Sequence, residues 1–174
     1  MNQRGRVSRD EHNVITVGIA ELKVSGDPAD VLTARGLGSC VAVCAYDPVA
    51  RIGGVLHGVL PERSSSLGGS PTKYLDTGIP CLLTQMLANG ASYRRLVIRI
   101  AGGAQMLIAP GFKNTLNIGR RNAQVARTVI QREGLRCVGE ETGGTRGRTV
   151  KLYVECGTMT LRSVGRGELE IPIR

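Results

Sequence analysis

A chain of 174 residues with 41% hydrophobic side chains can build one buried core, and a formal charge of +9 points to acidic partners. Trp is absent, Phe112 is the one Phe and the four Tyr are scattered, so the core is expected from Val, Ile, Leu, Ala and Met. Nucleic-acid binding is disfavoured: single-strand binders set aromatic platforms beside a basic groove, and the arginines here, from Arg4 and Arg6 to Arg146 and Arg148, are dispersed among acids. Steering toward an acidic protein is the preferred use of the charge. The five cysteines, at 40, 44, 81, 137 and 156, form no CxxC pair, and the chain has no long apolar run. A reducing cytoplasm and no membrane insertion are expected. With only His12 and His57 beside these cysteines, zinc lacks well-placed ligands, and neither metal nor other cofactor is expected.

Residues 1–12 (MNQRGRVSRDEH) are polar and aperiodic, which reads as a flexible leader to a single domain over 13–174. Residues 14–24 and 30–34 read as two strands around the turn SGDPA, followed by the glycine-punctuated GLGSC. Residues 41–46 and 52–60 read as a hairpin around DPVA, ended by Pro61 and followed by a Ser/Gly-rich surface loop over 62–72. Over 73–88 the spacing of Ile79, Leu82, Leu83, Met86 and Leu87 predicts a helix stopped by Asn89 and Gly90, with Pro80 in its first turn. A strand over 95–101 precedes a second helix over 122–133, with Val125, Val129 and Ile130 inward and Gly134 as its cap. Strands over 135–139, 149–155, 159–164 and 169–173 complete the pattern. Many strands with two or three helices, not strictly alternating, define an α+β layered domain with a large mixed or antiparallel sheet.

The chemistry concentrates at the hairpin. If residues 47–50 form its loop, Tyr46 faces Arg51 and Cys40 falls opposite His57, on one face with Cβ atoms roughly 4.5–5.5 Å apart. An adjacent imidazolium would lower the thiol pKa and leave Cys40 a thiolate nucleophile with His57 as base. Gly38 and Ser39 let backbone approach a substrate and offer donors for an oxyanion. Weighed against this, a buried Cys is commonly a small hydrophobe, a strand His is commonly just hydrogen-bonded, and a one-residue slip would send His57 to the other face. Cys44 shares the Cys40 face by the period-two count and would face Gly53. It is the competing thiol.

The stretch GLGSCVAVCAYDPVARIGGVLHGVLP closely resembles the signature region of the CheD family, the chemoreceptor glutamine deamidases of bacterial and archaeal chemotaxis. Further matching blocks are KYLDTGIPCLL at 73–83, IAGGAQM at 100–106, IGRRN at 118–122 and TGGTRGRTV at 142–150, so that the resemblance covers roughly residues 13–165. It implies a fold related to the deamidating cysteine hydrolases, with Cys40 as nucleophile and His57 as base. The family's third residue, a Thr six positions before the Cys, falls on Ala34, one residue from Thr33. Thr33 can take the role only if a bulge or altered register turns it inward; otherwise Ser39 or a backbone carbonyl must orient His57. The implied substrate is a glutamine on the helical cytoplasmic region of a chemoreceptor, with glutamyl methyl esters as a second substrate and, in many members, a CheC-type phosphatase as partner. The departure at Ala34 motivates an alternative, an interaction module that keeps the fold without turnover.

Overall fold

The computed structural model describes residues 12–64, 68–106 and 117–172. The leader apart from His12, residues 65–67 of the Ser/Gly loop and Phe112 lie outside the described residues.

The apolar run over 14–24, expected as one strand, is two. β1 (Asn13–Thr16) and β2 (Leu22–Ser25) join different sheets, and the chain turns between them with Ala20 at φ 61°. Val17 and Leu22 then bury into two separate cores, which one straight strand could not reach. The first sheet is ordered β1–β3–β8–β9–β10, with β3 at Asp30–Leu37, β8 at Arg148–Tyr153, β9 at Thr158–Ser163 and β10 at Glu168–Pro172. Only its β1–β3 pair is parallel. The second is ordered β2–β5–β4–β6–β7, with β4 at Val41–Asp47, β5 at Ile52–Gly58, β6 at Val97–Gly102 and β7 at Arg136–Thr142. Its parallel pair is β6–β7. The mixed sheet expected from sequence is thus realised as two five-stranded mixed sheets.

Two helices cover one face of the second sheet and the first sheet covers the other, which makes β4 a central strand buried on both sides. Val41, Val43 and Ala45 pack in the helix-facing core, while Ala42, Cys44 and Tyr46 pack in the core between the sheets. Polar alternation is therefore absent along it, as in any strand covered on both faces.

Helix α1 (Leu75–Ala88) buries Leu75, Ile79, Leu82, Leu83 and Met86. Pro80 lies inside it rather than in the first turn, so the Asp76 carbonyl loses its i+4 donor, a defect that packing on the sheet outweighs. Helix α2 (Ile118–Arg132) starts earlier than its apolar spacing indicates, because the Asn117 side chain caps it by accepting from the Arg120 N–H at 3.0 Å. Its inward face is Asn122, Ala123, Ala126, Val129 and Ile130. No described helix is long and apolar enough to cross a membrane.

Candidate functional site

The hairpin register differs from the expected one by two residues. Asp47 pairs with Ile52, Tyr46 with Gly53 and Ala42 with His57, so the loop runs over 48–51. The reason is Asp47, whose carboxylate is wholly buried and accepts from the N–H groups of Val49, Ala50 and Ser92 and from the Arg95 guanidinium at 2.8 Å. Burial alone would raise its pKa, but these donors outweigh it and hold the carboxyl well below the usual range. A residue so anchored belongs to the strand and not to the loop.

A slip of two preserves side-chain direction. Cys40 and His57 therefore still share a face, the one turned toward the first sheet, but as diagonal neighbours and not directly opposed: His57 faces Ala42, and Cys40 lies one pleat beyond. Diagonal positions stand roughly 7–8 Å apart, still within reach of side chains that lean together. Cys44 faces Val55 rather than Gly53.

His57 is 1% exposed. Its Nδ1 lies 3.3 Å from the Val17 carbonyl oxygen, which can only accept, so Nδ1 carries the proton and Nε2 keeps its lone pair. Nε2 is buried and has no hydrogen-bond partner among the described residues, the Cys40 thiol included. Burial pushes the imidazole below its ordinary pKa, with the Val17 carbonyl only partly opposing. Burial also pushes the half-exposed Cys40 thiol up, with its own backbone N–H partly opposing. Where a thiolate–imidazolium pair was expected, burial favours the neutral form of both groups. Cys44, wholly buried, is pushed up to about 12, mainly by burial and despite the Arg99 charge. At neutral pH it is a small hydrophobe.

The segment leading to Cys40 is tied down by three successive carbonyls. Those of Gly38 and Cys40 accept from the N–H groups of Ala104 and Gly103, each at 2.8 Å, and that of Ser39 accepts from Asn122 Nδ2 at 2.9 Å. The N–H groups of Ser39 and Cys40 donate to no backbone carbonyl among the described residues. Gly102 makes the approach possible: at φ 114°, a Cβ there would stand 2.2 Å from the Cys40 carbonyl oxygen. Asn122 also donates from Nδ2 to the Val59 carbonyl at 2.8 Å, so one buried amide holds both the Cys40 segment and the chain just after His57. Sequence reasoning missed this residue. The signal was available, since Asn122 is a polar residue on the apolar stripe of an amphipathic helix and closes the IGRRN block.

The structure does not bring Thr33 to this site. Leu32 and Ala34 face the core between the sheets, whereas Thr33 points the other way with its hydroxyl donating to the Val31 carbonyl at 3.4 Å. The bulge that could have turned it inward lies further along, between Ala34 and Leu37. The Val17 carbonyl occupies the orienting position.

Fold and site together define a two-sheet α+β protein that holds one accessible thiol and one buried imidazole on a common face at the end of a sandwich. Its relatives are consistent among themselves. A Symbiobacterium thermophilum protein named "Probable chemoreceptor glutamine deamidase CheD" is 45% identical over 157 residues, covering 89% of this chain and 95% of the relative. A Thermotoga maritima protein named "Chemoreceptor glutamine deamidase CheD" is 41% identical over 89% of this chain and 96% of its own length. One from the archaeon Thermococcus kodakarensis, named as the first is, is 40% identical over the same shares. The family described as "CheD chemotactic sensory transduction" matches residues 59–163. That match begins just past His57, but relatives spanning 89% of the chain leave out too few residues to miss Cys40 or His57. The chain belongs to the CheD family. Among solved structures, a Neisseria meningitidis protein overlaps 71% of this chain and 53% of its own at 13% identity and a TM-score of 0.44, too slight a likeness to bear on function.

Proposed function

We propose that this chain is a cytoplasmic protein-glutamine deamidase acting on chemoreceptors, with Cys40 as nucleophile and His57 as general base. One observation carries the reading: His57 presents a buried, unpartnered Nε2 lone pair on the Cys40 face while its other nitrogen is held by the Val17 carbonyl. A buried acceptor without a partner costs stability, and a histidine kept only for packing would be expected to satisfy both nitrogens. The names of the relatives supply the substrate.

The Cys40 thiol, entering from neutral, gives its proton to Nε2 as Sγ attacks the glutamine side-chain carbonyl. The N–H groups of Ser39 and Cys40, which donate to no backbone carbonyl among the described residues, are the donors for the oxyanion. Nε2 then protonates the amide nitrogen, the C–N bond breaks and ammonia leaves a thioester. Water attacks it, Nε2 takes the water proton, and Sγ leaves and is reprotonated, releasing glutamate. A glutamyl methyl ester gives the same thioester with methanol leaving. Thiol and imidazole must close on one another as substrate enters, since they do not touch in the free protein.

The test is to incubate a recombinant chemoreceptor cytoplasmic fragment with the protein and follow glutamine-to-glutamate conversion by mass spectrometry. Conversion by wild type and none by Cys40→Ala is expected. Equal conversion by Cys40→Ala would remove the nucleophile assignment. Binding without conversion by wild type would instead favour the non-catalytic interaction module that Ala34 suggests.

A further inference from the structure

The arginines dispersed in sequence are gathered by the fold at the Cys40 end of the sandwich. Arg146 comes from the approach to β8 and Arg148 from its first position, Arg162 from the end of β9, and Arg166 from the turn before β10. They line two adjoining open grooves of about 550 and 240 Å³, which share Arg148, Ser163 and Arg166. Arg162, Arg166 and Arg146 are exposed, and none of the four arginines makes an ion pair with a carboxylate among the described residues.

The neighbouring acids neutralise the patch only in part: Glu168 feels the charge of Arg162, and Glu141 that of Arg148. Glu168 is cross-strand from Arg162 but accepts from Thr160 at 2.5 Å and pairs with Lys151 at 3.5 Å, while Glu141 acts on Arg148 without contact. The fold props the cations in place with backbone: Arg146 donates to the Val164 carbonyl at 3.2 Å and Arg148 to that of Gly143 at 2.7 Å. Like charges held together without an ion pair among the described residues are a cost that an anionic partner reduces.

The groove lies beside the segment that leads to Cys40. Its lining includes Gly36, four residues before Cys40, with open space where a side chain would be. Arg148 pairs with Leu37 in the ladder and also reaches the carbonyl of Gly102, whose backbone packs on that of Cys40.

We propose that this arginine groove is the docking surface for an acidic segment of the protein substrate, which holds the chain while its glutamine enters beside Cys40. The inference rests on the deamidase reading. Arg guanidinium groups suit carboxylates, pairing with them in forked geometry. The groove linings hold no aromatic side chain for base stacking, and the adjoining chemistry acts on an amide, so protein is the occupant and not nucleic acid.

The probe is a fluorescein-labelled peptide of glutamate and alanine with one central glutamine, with binding read by anisotropy over a salt series and turnover by mass spectrometry. Binding should weaken as salt rises, and the double variant Arg162→Glu with Arg166→Glu should bind at least about tenfold more weakly. KM should rise with kcat little changed, and iodoacetamide should alkylate Cys40 at the wild-type rate. Unchanged affinity in the double variant overturns the proposal, as does duplex DNA displacing the peptide at equal or lower concentration. Salt-sensitive, arginine-dependent binding without conversion would sink the deamidase reading and leave the docking surface standing.

Discussion

Cys40 and Cys44 lie on the same face of one strand line, four residues apart, and their surroundings assign them different chemistry. Cys44 sits mid-ladder under the first sheet, fully buried, where a thiolate would be stripped of water and of donors. Cys40 stands one residue before the ladder starts, half exposed, with its own and the preceding N–H unclaimed by backbone carbonyls. A strand interior uses every backbone donor, whereas its end leaves some free for a substrate. The contrast between the two cysteines is set by the strand end rather than by the thiol.

The comparison breaks most visibly by removing one thiol at a time. Cys40→Ala should lower deamidation about a thousandfold or more, whereas Cys44→Ala should stay within about threefold and cost about 1 kcal/mol in chemical denaturation. Loss of activity in a folded Cys44→Ala protein would reverse the assignment.

Next in size is the backbone that makes the strand end. Gly102→Ala places a methyl against the Cys40 carbonyl at a φ unfavourable to side chains. Backbone conformation alone costs about 1–3 kcal/mol, and the displaced Cys40 segment should lower kcat at least about tenfold. A variant with wild-type stability and turnover would show that the close contact is dispensable.

Asn122→Ala should destabilise by about 1–2 kcal/mol, because it removes the donor to the half-buried carbonyls of Ser39 and Val59. Its distinguishing effect is on the site: kcat should fall, and the pH dependence of Cys40 alkylation should no longer respond to His57→Ala. A lower melting temperature with both unchanged would make Asn122 a fold residue only.

The smallest effect expected is in pH dependence. Because His57 titrates below its ordinary value of about 6.5 and Cys40 above its ordinary thiol range, kcat/KM should be flat between those two limits and fall on the acid side. The stability that His57 contributes has the same sign: its folded pKa is depressed, so the contribution is complete above about 6.5 and lost as pH falls below it. Alkylation of Cys40 that is already maximal at neutral pH would restore a thiolate–imidazolium pair.

Much of this was legible in sequence because it is local. The spacing of Ile79, Leu82, Leu83 and Met86 marks the buried face of α1, and β-branched runs with glycine turns mark the strands. The hairpin came through with its loop displaced by one residue and its register by two, and the Cys40–His57 face survived because two is the strand period. Boundaries failed where distant partners decide them: Ser92 and Arg95 draw Asp47 into β4, and separate cores divide residues 14–24.

By itself the sequence determined the α+β class, the family signature and the sharing of a face by Cys40 and His57, all of which depend on residue type and short-range period. Only the tertiary structure decided what orients His57, because the Val17 carbonyl reaches it across 40 residues of chain and any residue's carbonyl would serve. Burial likewise pushes each group toward its neutral form, since desolvation depends on what packs around a side chain. The gathering of Arg146, Arg148, Arg162 and Arg166 at the same end belongs to the sheet order, which no local pattern along the chain records.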